Sequence, residues 1–143
     1  MTATGVAEWL GGERILKRAI RTDLDLVEAI ESGLPIASIE AVIEEGILSA
    51  DEIHHLVVPR RTLAHRKGRG QALTAKQSDR LTRVVRMAAR AAEAISDPQK
   101  AARWLRKPNR TLQGKRPLDL LESDVGARMV EQLLGHIEHG LVA

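Results

Sequence analysis

At 143 residues the chain can form one compact unit or two small helical subdomains. Its 43% apolar content supplies a core, and its 29% charged content favours solubility. The net charge is +3, Cys, Phe and Tyr are absent, and the only aromatics are Trp9 and Trp104. That composition excludes a disulfide framework or thiolate metal site and argues against reading single-stranded nucleic acid by stacked aromatic rings.

Ala, Leu, Glu and Arg dominate and few stretches alternate with period two, which predicts an all-α fold. Residues 1–12 show little periodicity and end in two glycines, so they predict a frayed arm. A helix is expected from about Glu13 to Arg21 and another from about Asp25 to Glu31, with Gly33 as its stop. Ile36, Ile39, Val42 and Ile43 form an apolar stripe at helical spacing, ended by Gly46. Ser49-Ala50-Asp51-Glu52 reads as a capping box, opening a helix that turns Ile53, Leu56 and Val57 inward. Pro59 starts the next helix, closed by Gly68 and Gly70, because proline lacks an amide hydrogen and is tolerated in a first turn. Thr74 to Gln77 is a second capping box. The long helix after it carries Leu81, Val84, Val85, Ala88, Ala92 and Ile95 on one face and Arg83, Arg86 and Arg90 on the other. Asp97-Pro98 caps a helix reaching about Lys107, with Ala101, Trp104 and Leu105 inward. Arg116-Pro117 opens a short turn, and a last helix closes near Gly140. In that last helix Val125, Met129, Leu133, Ile137 and Leu141 are expected to anchor the core. Gly126 and Gly135 each cost about 1 kcal/mol relative to Ala, so they mark either close packing or a docking surface.

Charge is sorted along the chain. Residues 23–58 hold nine acidic side chains and no Lys or Arg, whereas residues 59–90 hold ten basic ones against Asp79 alone. The chain stays basic to Arg116 and turns acidic from Pro117, with Arg128 the one later Lys or Arg. A basic block flanked by acidic ones suits a polyanion-binding face; the alternative is that acidic and basic segments neutralise each other within the fold or across a dimer. Within it, residues 49–67 have the dimensions of a helix-turn-helix, whose second helix enters the major groove by its early residues. Arg60, Arg61, Thr62, His65, Arg66 and Lys67 are therefore the candidate contacts to duplex DNA, with Leu63 as the inward anchor. Arg83, Arg86 and Arg90 are secondary candidates for backbone contact, or for pairing with the acidic N-terminal segment.

The run PRRTLAHRK followed by LTAKQSDRLTRVVRMA, then WL-x-x-PN, a Gly before Pro-Leu-x-x-Leu, and G-A-R-x-V-E-x-L-L-x-x-I-x-x-G, resembles the Xre/MbcA/ParS antitoxins. Gln77 stands where that family usually has Glu. The resemblance spans about Glu45 to Gly140 and implies an Xre-like helix-turn-helix region (residues 1–90) followed by a helical toxin-binding domain (91–143). It also implies, as partner, a RES or ParT-type toxin that consumes NAD or uses it for ADP-ribosylation. The toxin's NAD pocket would be covered by the C-terminal domain, and the operon's own promoter bound by the helix-turn-helix. On that basis Asn109, Arg116, Arg128, Glu131, Leu134, Glu138 and Gly140 are the expected toxin contacts, and the tail after Gly140 is free to reach outward. A homodimer or a larger assembly with the toxin is expected, since two-fold operators are read by two-fold proteins. The alternative is a stand-alone repressor whose C-terminal domain dimerises or senses a ligand.

No enzyme is expected: the carboxylates fall in no acid/base motif, and Gly68-Arg69-Gly70 lacks the Lys-Ser/Thr of a phosphate loop. His54 and His55, and His136 and His139, lack further ligands at metal-site spacing, so neither metal nor cofactor is expected. With no apolar run of membrane-spanning length and no signal-peptide core after Met1, a cytoplasmic location without membrane attachment is expected.

Overall fold

The computed structural model describes residues 2–140, and these form helices and turns with no strand beyond an isolated bridge between Asn109 and Lys115. The chain divides into two compact units, Met1–Val85 and Arg86–Ala143.

In the first unit, the segment expected to fray is helix α1, Ala3–Trp9, capped by Thr2, whose Oγ1 accepts from the Gly5 amide at 3.0 Å. Ala3, Val6, Ala7 and Leu10 are all buried. They recur at i, i+3, i+4 and i+7, so the helical period was present before the two glycines. Helix α2, Gly12–Leu16, ends well short of Arg21, because Lys17 turns left-handed at φ 58°. That turn allows Ile20 to be buried and to accept a hydrogen bond from Thr4 Oγ1 at 3.1 Å. Helix α1 packs on α2 and on α3, and α2 packs on α4.

Helix α3, Asp23–Ser32, opens with a capping box. Thr22 Oγ1 accepts from the Asp25 amide, and the Asp25 carboxylate accepts from the amides of Arg21 and Thr22. Those amide donors, Arg21 foremost, hold the Asp25 carboxyl below its usual range. Helix α4, Ile36–Glu44, buries Ile39 and Val42, but Ile43 sits at the exposed edge of the expected stripe. Between α3 and α4, Gly33 adopts φ +91°, and a Cβ there would strike the carbonyl oxygen of Leu73. This close approach lets Leu34 bond twice across the fold. Its carbonyl accepts from the Leu73 amide at 2.9 Å, and its amide donates to the buried Ser78 Oγ at 2.8 Å.

Helices α5 (Ala50–Leu56) and α6 (Arg60–Gly68) follow, then the long α7 (Ala75–Ile95). Burial on α7 wraps further than the expected stripe and takes in Ser78, Thr82, Met87, Ala89 and Ala91. Of the three arginines placed on its solvent face, Arg86 is exposed. Arg83 and Arg90 are mostly covered, with side chains 16% and 13% exposed.

The second unit takes up α7 from Arg86 and adds α8, Pro98–Arg106, whose first amides at Gln99 and Lys100 are capped by Asp97. After the short 3-10 segments Arg110–Leu112 and Pro117–Glu122 comes α9, Asp124–Glu138. Both α8 and α9 pack on the Pro117–Glu122 segment. The face of α9 that anchors it includes Leu133 as expected but departs from the expected series at its start. Gly126, Ala127, Val130, Leu133 and Leu134 are buried, whereas Val125 is 68% and Met129 46% exposed. A strict four-residue step drifts round a helix of 3.6 residues per turn, so the expected series began on the wrong side. Leu141, its last member, lies outside the described residues. The two glycines of α9 separate cleanly: a Cβ on Gly126 would run into the Leu120 backbone, and one on Gly135 meets nothing within 4 Å.

Candidate functional site

Helices α5 and α6 occupy the segment expected to be a helix-turn-helix. The α5 capping box is complete, with the Ser49 amide donating to Glu52 Oε1 at 2.9 Å and the Glu52 amide to Ser49 Oγ at 3.1 Å. Val57 and Val58 are buried in the turn, and Pro59 caps α6. Helix α6 itself has no buried residue, and Leu63, its expected anchor, is only half-buried. A helix so exposed is held by its ends. Arg60 pairs with Asp51 at 3.5 Å, and Lys67 with Glu40 at 3.3 Å. Arg66 Nε donates to the Ala72 carbonyl at 2.6 Å, and the Gln71 amide donates back to the Arg66 carbonyl at 2.9 Å. Through Leu73 and Leu34 that loop is tied into the core.

The six candidate DNA contacts thus divide by what the structure does with them. Arg61, Thr62 and His65 are exposed, and Arg61 has no ion-pair partner among the described residues. Arg60 and Lys67 are exposed but lightly paired; such surface pairs are worth well under about 1 kcal/mol and give way readily to a phosphate. Arg66 is partly buried and spends its Nε on the loop, so it positions α6.

The second unit is organised around Arg90. Its Nε donates to Glu131 Oε1 at 3.0 Å, and Nη1 and Nη2 each donate to one Glu138 oxygen at 2.9 Å, while Glu93 lies 3.4 Å from Nη1. The two-pronged bond matches the planar guanidinium to the carboxylate and joins α7 to the last turn of α9. It raises Arg90's hold on its proton and keeps the Glu138 carboxyl below the usual glutamate range. Sequence reasoning set Arg90 among solvent-facing cations and Glu131 and Glu138 among free partner contacts. All three are engaged with one another.

Of the other expected partner contacts, Leu134 is fully buried and serves the core, which corrects its assignment to a contact surface. Asn109 is half-buried; its side chain accepts from the Thr111 amide at 2.9 Å, and its amide donates to the Lys115 carbonyl. Arg116 is bound to Asp119 through two bonds of 2.7 and 2.8 Å. Both shape the connector between α8 and α9. Gly140 takes φ +75° beyond the helix end, and residues 141–143 of the expected free tail lie outside the described ones. Arg128 is exposed beside Asp124 at 2.8 Å and flanks Val125 and Met129 on the outer side of α9. That apolar pair was missed, although the helical period displaced by one residue would have found it.

Comparison with known proteins places both halves of the chain. Residues 25–86 match the antitoxin Xre-like helix-turn-helix domain, and residues 90–140 match the antitoxin Xre/MbcA/ParS C-terminal toxin-binding domain. The chain is 32% identical to Antitoxin Xre of Pseudomonas putida over 121 residues, covering 85% of this chain and 76% of the relative. It is 30% identical to Antitoxin Xre of Yersinia enterocolitica (81% and 80% covered) and 31% to that of Photorhabdus laumondii (80% and 78%).

Proposed function

The chain belongs to the Xre/MbcA/ParS family of type II antitoxins, and from that premise we propose that it silences a RES or ParT-type toxin by occluding the toxin's NAD-binding site. On the same reading it represses its own operon through α6. As a member of an antitoxin family it is a toxin-binding and DNA-binding protein and not an enzyme.

The observation that carries the toxin assignment is the outer face of α9. Val125 and Met129 stand one helical turn apart, largely exposed, with Arg128 flanking them, inside the segment matched to the toxin-binding domain. Large apolar side chains kept in water gain when a partner covers them, and Met adapts to irregular surfaces. In this reading Arg128 is a direct contact. Glu131 and Glu138 act through Arg90 by setting the angle of α9, and Asn109 and Arg116 by shaping the connector. Gly140 marks where the chain leaves the helix towards the pocket.

On the DNA side, Arg60, Arg61, Thr62 and His65 face the groove, Lys67 reaches a phosphate, and Arg66 holds the helix. A dimer presenting two such helices fits a two-fold operator.

The test is NAD turnover by a RES or ParT-type toxin that the chain captures, with the parent protein or with Val125→Asp/Met129→Asp. Full inhibition by the parent and inhibition weakened at least tenfold in a folded variant are expected. Unchanged inhibition would place the contact elsewhere. Inhibition of the toxin without loss of NAD binding would overturn occlusion. Arg60→Ala/Arg61→Ala should leave inhibition intact and erode the preference for the promoter, by about 1–3 kcal/mol per lost base contact.

A further inference from the structure

We propose that the toxin-binding unit carries a second, sequence-independent surface for DNA phosphates, formed by α8 and the connector that follows it. The proposal rests on the reading of α6 as the DNA-binding helix and adds a contact outside it.

Residues 98–116 contain seven basic side chains and no acidic one. Two are engaged: Arg116 with Asp119, and Arg106 with the Ala102 carbonyl at 2.9 Å. The other five, Lys100, Arg103, Lys107, Arg110 and Lys115, are all exposed, and none has an ion-pair partner among the described residues. Lys100 and Arg103, three apart, share one side of α8 away from the buried Ala101 and Leu105, and Lys107 follows directly at the end of the helix. Arg110 and Lys115 continue the charge through the connector, where the Asn109–Lys115 bridge folds the chain back on itself. A helix end attracts cations, which accounts for charge in the last turn of α8. It does not account for Arg110 and Lys115, which lie beyond the helix.

The surface is chemically distinct from the one offered to the toxin. Ala101, Leu105 and Leu112 are buried and Trp104 is half-buried, which leaves the unpaired cations without a large apolar side chain fully exposed among them. Protein interfaces centre on desolvated apolar or aromatic anchors and are depleted in Lys at their core. In this unit such anchors sit on α9, at Val125 and Met129. Unpaired Lys and Arg on long stems, with no fully exposed apolar anchor among them, suit phosphates, which they neutralise while releasing counterions.

The experiment compares the full-length parent with the Lys100→Gln/Arg103→Gln/Lys107→Gln/Arg110→Gln/Lys115→Gln variant on two duplexes of equal length. One is the chain's own promoter and the other a scrambled sequence, and affinity is measured across salt concentration. Each phosphate contact contributes about 0.9 to the slope of log affinity against log salt, so removing two to four contacts should lower that slope by about 2–4. Both duplexes should weaken together, leaving their ratio unchanged within about twofold, because phosphates carry no sequence information. A Lys100→Arg/Lys107→Arg/Lys115→Arg control should keep the parent slope, which separates charge from folding. A parent that prefers its promoter but a five-site variant with an unchanged slope overturns the second surface and leaves α6 standing. The same unchanged slope with loss of toxin capture assigns the face to the toxin and overturns the proposal. If the parent binds neither duplex, the α6 reading fails first and this one with it.

Discussion

Replacing Gly126 and Gly135 by Ala, one at a time, should move stability in opposite directions, although both lie in the same helix. Intrinsic propensity treats them alike: Ala is favoured over Gly by about 1 kcal/mol in a helix interior. At Gly135 nothing lies within 4 Å of the added Cβ, so most of that gain should appear, about 0.5–1 kcal/mol. At Gly126 the Cβ would overlap the Leu120 carbonyl, with the carbonyl carbon 2.8 Å away. The obstacle is backbone in the Pro117–Glu122 segment, on which both α8 and α9 pack, so relief requires α9 or that segment to shift. Overpacking of this kind costs about 1–3 kcal/mol or more. Set against the propensity gain, the net loss should reach about 2 kcal/mol, or up to roughly 8 °C in melting midpoint. Thermal and urea unfolding of the two variants beside the parent, followed by circular dichroism, reads both signs at once. A Gly126→Ala protein as stable as the parent would refute the close approach, and a destabilised Gly135→Ala protein would mean that the outer face of α9 is already covered by something.

Four further outcomes follow from the contacts. Arg90→Gln should loosen the last turn of α9. Because Glu138's folded carboxyl is held below its ordinary value, its contribution is present above that value and lost as pH falls through the acidic range. The parent–variant difference in urea midpoint should therefore be largest near neutrality and shrink on acidification; a pH-independent difference would show that the pair carries no charge-dependent stability. Ser78→Ala leaves the buried Leu34 amide without its acceptor and should cost about 1–3 kcal/mol in denaturant unfolding, whereas a loss under about 0.5 would mean another acceptor replaces it. Truncation after Gln132 removes the buried Leu133 and Leu134 along with Glu138, so inhibition and helical signal should be lost together. A fragment of residues 86–143, which keeps Arg90, should fold and capture toxin better than one of residues 91–143; equal behaviour would show that the Arg90 contacts are dispensable.

Local chemistry made much of the protein legible before any fold was known. The Ser49–Glu52 and Thr74–Gln77 boxes, Pro59 at the head of α6 and Gly33 behind α3 act over three or four residues, so adjacent letters suffice to read them. The division of charge, the all-helical class and the motifs shared with the antitoxins were visible for the same reason. What remained hidden depends on pairs far apart in the chain. Arg90 meets Glu131 and Glu138 across 41 and 48 residues, and Ser78 meets Leu34 across 44. Neither pairing leaves a local trace, so Arg90 read as a candidate phosphate contact or a partner of the acidic N-terminal segment, and Glu131 and Glu138 as toxin contacts. Gly126 and Gly135 are identical as letters, and only the Leu120 carbonyl beside one of them tells them apart. The phase of α9 was decided the same way. Its composition permits a buried face on either side, and packing on the Pro117–Glu122 segment turned Ala127, Val130 and Leu134 inward, leaving Val125 and Met129 in water.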